Sequence, residues 1–193
     1  EISFTNVDGS EDLLYATAAQ EGKVTGNTMV AFSFRHVLSK VKFSFENAYN
    51  ATNATIRVKD ITITNPHKTA DVVLTADTDW DNQTATDLVL EFGMATDDEA
   101  TDAKENVEVA YASGKTYESQ NELFLIPSSE SYAYNVTFIV ELLVSDTVVA
   151  TYNHTATAKF APEAGKAYDI KTVINAENID PEHEQEPIEF SVN

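Results

Sequence analysis

Few residues in this chain could carry chemistry, and they are scattered. There is no cysteine, which excludes disulfides, thiolate nucleophiles and Cys-held zinc or iron–sulfur centres. The four histidines, His36, His67, His154 and His183, lie far apart, and no two stand at metal-ligand spacing. No Gly-x-Ser-x-Gly elbow, His-Glu-x-x-His pair or phosphate-cradling glycine loop occurs. Spacing supports no nucleophile–base pair and no acid/base pair of carboxylates, so the chain does not read as an enzyme. One stretch stands out: Asp77-Thr78-Asp79-Trp80-Asp81-Asn82 sets carboxylates at alternate positions. That spacing suits a hard, oxygen-seeking cation, which makes Asp77, Asp79 and Asp81 candidate Ca²⁺ ligands. The pattern then departs from a calcium loop, with Asn82 at the turn-glycine position and Leu88 where a bidentate Glu belongs. The other reading is an acidic hairpin loop whose Asp and Asn side chains form local turns. No other cofactor is implied.

Charge narrows the partners. Twelve Lys and Arg against 32 Asp and Glu give a net charge of −20. Nucleic-acid binding depends on Lys and Arg neutralising phosphates, so nucleic acid is a poor partner. No apolar run approaches the length of a membrane-spanning helix. The chain begins at Glu1 and ends inside an expected strand. It reads as a processed or truncated piece of a longer protein. At 42% hydrophobic and 10% aromatic it is too apolar for disorder.

The dominant pattern is alternation with period two, the mark of strands. Tyr132, Tyr134, Val136, Phe138, Val140, Leu142 and Val144 are apolar at successive even positions. Ser145, Asp146 and Thr147 offer a turn, and the alternation resumes at Val148, Ala150, Tyr152, His154, Ala156, Ala158 and Phe160. This is a long antiparallel hairpin. Val30, Phe32, Phe34, His36 and Leu38 form another even series, with His36 on the inward side like His154. Val41, Phe43 and Phe45 then switch to odd positions, so the chain must bulge or change sheets near Ser39-Lys40. Ile56 and Val58, followed by Ile61 and Ile63, repeat the switch. Further strands are expected over 12–16, 71–75, 87–92, 107–111, 122–126, 167–175 and 187–192. Polar, acidic loops are expected over 77–86, 94–105 and 177–186. These elements predict an all-β, antiparallel β-sandwich with little or no helix. The expected division is a linker or remnant of a missing domain over 1–26, a sandwich over 27–176, and an acidic linker with a terminal strand over 177–193. In the last segment Ile188, Phe190 and Val192 alternate. Such a strand can close its own sheet or add to another subunit's edge. Asp146-Thr147-Val148 also fits a bacterial O-glycosylation pattern at an expected exposed turn.

The run from Val30 to Phe45, with its His36-Val-Leu-Ser-Lys40-Val-Lys-Phe core, resembles a segment of the fimbrillin-like proteins of Bacteroidales. Asp12-Leu-Leu-Tyr-Ala16 is similar to the motif that precedes it there, and Leu123-Phe-Leu-Ile-Pro127 to the family's Leu-Ile-Pro element. Phe160-Ala-Pro-Glu-Ala-Gly165-Lys-Ala-Tyr168 resembles its Gly-Lys-x-Tyr turn, and Pro187-Ile-Glu-Phe-Ser-Val192 its terminal strand. The resemblance implies transthyretin-like sandwich domains and an outer-membrane lipoprotein precursor on a Gram-negative cell surface. It also implies fimbriae assembled by donor-strand exchange, after proteolysis opens a groove that a neighbour's strand fills. The lipoprotein signal and most of the family's first domain have no counterpart here, so the chain matches the C-terminal domain.

Two functions follow as expectations. One is a fimbrial subunit that contributes to adhesion and joins other pilus subunits by strand addition, with Ile188, Phe190 and Val192 as the donated side chains. The other is a carbohydrate- or ligand-binding adhesin module at a pilus tip or free on the surface. It would meet a host glycan or protein receptor through Trp80, Tyr49 or Tyr117, assisted by Ca²⁺ at Asp77, Asp79 and Asp81.

Overall fold

The structure, a computed structural model, describes residues 2–18, 29–49, 51, 54–74, 79–85, 87–93, 107–109, 116–179 and 187–193. In chain order the strands are β1 (Ile2–Thr5), β2 (Leu14–Tyr15), β3 (Arg35–His36), β4 (Ser39–Asn47) and β5 (Ala54–Ile63). Next come β6 (Thr69–Val73), β7 (Asp79–Thr84), β8 (Leu90–Phe92), β9 (Val107–Val109) and β10 (Thr116–Glu118). The last five are β11 (Leu123–Leu125), β12 (Tyr132–Val144), β13 (Thr147–Phe160), β14 (Ala167–Ile174) and β15 (Ser191–Val192). A single 3₁₀ turn, Ala176–Asn178, is the one helical piece among the described residues. The protein is all-β, as the alternation predicts.

Two five-stranded sheets enclose the main core. The hairpin sheet runs β13-β12-β5-β8, with β9 also on β5. The mixed sheet runs β10-β4-β14-β15, with β11 also on β4. Its β14–β4 pair is parallel, whereas every other pair is antiparallel. Rings meet between the sheets: Phe43 of β4 packs edge-on against Phe92 of β8 at 4.7 Å, and Phe45 lies 5.3 Å from Phe138 of β12. A smaller sheet, β1-β6-β7, and the β2–β3 ribbon flank the sandwich.

The expected hairpin forms over its whole length, from Tyr132 opposite Phe160 to Val144 opposite Thr147. Ser145 and Asp146 both adopt left-handed backbone (φ 48° and 60°), as a two-residue turn between right-twisted strands requires. A bulge places Leu142 opposite Ala150 but Leu143 opposite Val148, which throws Val148 and Val149 outward. The inward row therefore starts at Ala150, not Val148.

The two parity switches have different causes. The first is a change of sheet: β3 belongs to the ribbon and β4 to the mixed sheet, and the chain crosses between them at the buried Val37 and Leu38. The second lies within β5. The register against β12 shifts between Thr137 and Ile139, and Asp60 takes a left-handed φ of 52°. The extra residue lets Ile56, Val58, Ile61 and Ile63 all face the core, each 0% exposed. Upstream the even series fails as a core strand, because Val30, Phe32 and Phe34 are exposed. His36 is exposed too, and its Nδ1 pairs with the Asp12 carboxylate. Its charged partner, not the core, satisfies it.

Residues 2–18, expected as linker or remnant, pair and pack with the rest of the chain. β1 pairs with β6, and Gly9 lies between β8 and β11. The Asn6 side chain accepts from the Gly9 N–H at 2.7 Å and donates to the Phe124 carbonyl at 2.9 Å. Gly9 has φ +78°, and a Cβ there would stand 3.0 Å from Leu90 Cδ2 and 3.1 Å from Leu123 Cβ. Gly9→Ala should therefore cost about 2 kcal/mol, combining left-handed strain with crowding. A thermal melt should show a fall of roughly 4–8 °C. An unchanged melt would mean that this segment is not docked.

Burial also sets a pH response. His67 and His154 are buried, and desolvation holds both below the ordinary imidazole range. His154 stacks on Phe138 at 5.2 Å, and His67 lies 4.4 Å from Tyr132. The unfolded histidines take protons near pH 6.5, where the folded ones resist. Their contribution is complete above about pH 7 and falls as pH drops through the folded values. Denaturant midpoints should therefore decline from about pH 7 to about pH 5, and His67→Gln with His154→Phe should flatten that slope.

Candidate functional site

The terminal segment forms the most distinctive site. β14 carries β4 on one side and β15 on the other, so residues 187–193 supply the edge of the mixed sheet. The ladder is short: Ile170 faces Val192 and Lys171 faces Ser191. The Asn193 N–H donates to the Asp169 carbonyl at 3.1 Å, and the Asp169 N–H to the Asn193 carbonyl at 3.0 Å. Upstream of Ser191 the tail leaves the ladder. The Thr172 hydroxyl donates to the Glu189 carbonyl at 2.7 Å, and the tail side chains do the rest.

Those side chains enter the sandwich. Ile188 is buried, while Phe190 and Val192 are half-buried against the main core. The Phe190 ring stands edge-on to Phe43 at 5.8 Å and to Phe138 at 5.9 Å, and so touches both sheets. The three residues singled out from alternation therefore share one face and point inward. Between tail and β14 lies a cavity of about 540 Å³, lined by Thr172, Val173, Asn175 and Asn178 among others. Asn175 shapes its end: its Oδ1 accepts from the Glu177 and Asn178 N–H groups, while Asn178 Oδ1 accepts from the Asn175 N–H.

The acidic stretch is built differently from the expected loop. Residues 79–84 form β7, paired with β6. Asp79 and Asp81 fall on one exposed face of it, while Asp77 lies outside the described residues. Asp71, opposite Asp81, is already engaged by Ser3 Oγ at 2.6 Å and Asn82 Nδ2 at 2.9 Å. Those hydrogen bonds hold its carboxyl below the usual range. Among the described residues no group of three His, Asp or Glu is placed to hold a metal. Trp80 turns to the other face and packs against Phe4 at 6.0 Å. It is half-buried and Tyr117 is buried, so neither is the freely exposed aromatic that the ligand-binding reading expects. The acidic composition hid β7, whose only apolar residue is Trp80.

Thr147 is exposed beside the hairpin turn. No helix among the described residues is long and apolar enough to cross a membrane.

Among solved structures the chain has distant likenesses. A fimbrial protein from Bacteroides vulgatus aligns over 84% of this chain and 55% of its own, with 12% identity and a TM-score of 0.48. Two proteins assigned provisionally to cell adhesion align over the whole chain at 14% identity. The one from Bacteroides ovatus is covered over 58% of its length (TM-score 0.40), and the one from Bacteroides eggerthii over 68% (TM-score 0.45). The chain thus spans a little over half of the first two. No curated protein matches it. The family model described as fimbrillin-like matches residues 4–193, and on that near-complete match the chain belongs to the fimbrillin-like family.

Proposed function

We propose that this chain is a fimbrial subunit that joins its neighbours by exchanging its terminal strand. The family is one of fimbrial structural and adhesion proteins. One observation carries the mechanism. Ile188 is buried in the core and Phe190 packs against both sheets, yet the backbone ladder to β14 is short, Ser191 and Val192 with the Asn193–Asp169 pair beyond them. A plug held mainly by side chains, on a short ladder, can leave and be replaced by the same segment of another copy. Main-chain bonds to β14 then supply affinity, and the pockets for residues 188, 190 and 192 supply register. The partners are other pilus subunits, and the setting is the cell surface, with attachment through a lipoprotein precursor at the outer membrane.

The glycan-binding reading has one feature in its favour. A cleft of about 190 Å³ gathers Asp79, Trp80, Ser128, Ser129 and Glu163. Calorimetry with oligosaccharides tests it, and a Trp80→Ala variant that leaves any binding intact removes the cleft from consideration.

The main test is a gel of the protein taken from its native surface, run in SDS with and without heating. Strand-exchanged polymers resist detergent until the fold opens, a slow step. The expected result is a ladder that collapses on heating. Monomer in both lanes contradicts a polymerising role.

A further inference from the structure

We propose that the outer edge of β13 docks β13 of a second copy, the two strands pairing antiparallel about Thr155. β15 lies near β13 in the fold, but the pairing uses the backbone edge of β13 and not the terminal strand, and it would link copies side by side. Among the described strands β13 is the last of the hairpin sheet and pairs only with β12. Among the described residues no other backbone group bonds to it. At 14 residues it is a long edge. Proteins guard such edges with charge, proline, bulges or shortness. From Ala150 to Phe160 the pairing with β12 is bulge-free, and the sequence holds no proline and no carboxylate. Its single charge is Lys159, in a chain of net charge −20. The adjoining β12 adds only Glu141, which is held by Arg57 at 3.2 Å and Lys59 at 2.6 Å. Two copies can therefore approach here without opposing carboxylates.

The sequence of the strand identifies the occupant. With Thr155 on the two-fold axis, Phe160 faces Ala150, Tyr152 faces Ala158 and His154 faces Ala156. Every large inward side chain meets a small one. On the outward row Asn153 faces Thr157, Thr155 faces itself, and Lys159 faces Thr151, which keeps the two cations apart. Shifting the axis to Asn153 sets Tyr152 against His154 and Ala150 against Ala156. Shifting it to Thr157 sets His154 against Phe160 and Ala156 against Ala158. Only the Thr155 axis matches large to small throughout, the property an isologous interface needs.

Because the chain lacks cysteine, one substitution reads the register. Thr155 and Thr151 are both exposed on the same strand. Directly opposed Cβ atoms stand about 4.5–5.5 Å apart, close enough for a disulfide after slight adjustment. Under mild oxidation Thr155→Cys should give a covalent dimer that grows with concentration. Thr151→Cys should give at most about a tenth as much, while a mixture of Thr151→Cys and Lys159→Cys chains should crosslink. Thr155→Glu and Thr155→Lys should each weaken association at least about tenfold in sedimentation, and mixing the two should restore it. Unchanged circular dichroism and melting would show that these surface variants fold. Equal crosslinking at residues 151 and 155, or a Thr155→Cys chain that stays monomeric, overturns the proposal.

Discussion

Removing residues 187–193 should lower the melting temperature by about 10–15 °C and abolish the detergent-resistant ladder. The stability loss follows from what leaves the core. Ile188 is buried, and Phe190 contacts rings on both sheets. Losing such groups costs about 3–5 kcal/mol in a site that cannot fully collapse, and a chain of this size loses about 2–4 °C per kcal/mol. Phe190→Ala alone should cost about 2–3 kcal/mol, because its ring is only half-buried. The seven-residue peptide added back should recover part of the melt, since it binds the open form of the groove. A truncated chain that melts like the full one would show that the tail fills nothing.

Phe43→Ala should be the most damaging single change, while Phe34→Ala should be nearly silent. Both phenylalanines lie in alternating apolar runs nine residues apart. Phe43 is 0% exposed and touches Phe45, Phe92 and Phe190, so one ring ties the mixed sheet, the hairpin sheet and the tail together. Its removal leaves a cavity at the junction and should cost about 3–5 kcal/mol, or roughly 10–15 °C. Phe34 is 69% exposed, and its replacement should change stability by less than about 0.5 kcal/mol. Calorimetric melts of the two variants side by side check the contrast. Similar losses would place Phe34 in the core as well.

That pair also shows what the sequence encodes. Alternation states that a segment can present one apolar face, and the β12–β13 hairpin is legible because its partner follows directly through a two-residue turn. It does not name a partner for a run such as Val30–Phe34, which pairs with no described neighbour. The parallel joining of β14 to β4 is invisible for the same reason, since the partners are over a hundred residues apart and direction leaves no mark on composition. β7 is not legible in the sequence because its strand is acidic and its packing rests on Trp80. Parity was more informative: both switches marked real events, though one was a change of sheet and the other a bulge at Asp60. In the candidate site, the inward face of Ile188, Phe190 and Val192 was legible. The cavity beside β14 was not, because it depends on the capped turn at Asn175, whose position only the fold reveals. Gly9 likewise gave no signal, since a left-handed glycine looks the same in sequence whether it is solvated or wedged between two leucines.

The most direct test of strand exchange uses the register of β14 and β15. Lys171 and Ser191 face each other, so Lys171→Cys with Ser191→Cys places the only two thiols of the chain across that ladder. In isolated monomer, oxidation should close a loop within one chain. In fimbriae assembled on cells and then oxidised, the same pair should join neighbouring chains, giving covalent multimers that survive boiling and vanish on reduction. If the assembled protein yields only intramolecular disulfides, the tail remains in its own fold and strand exchange is not how this subunit polymerises.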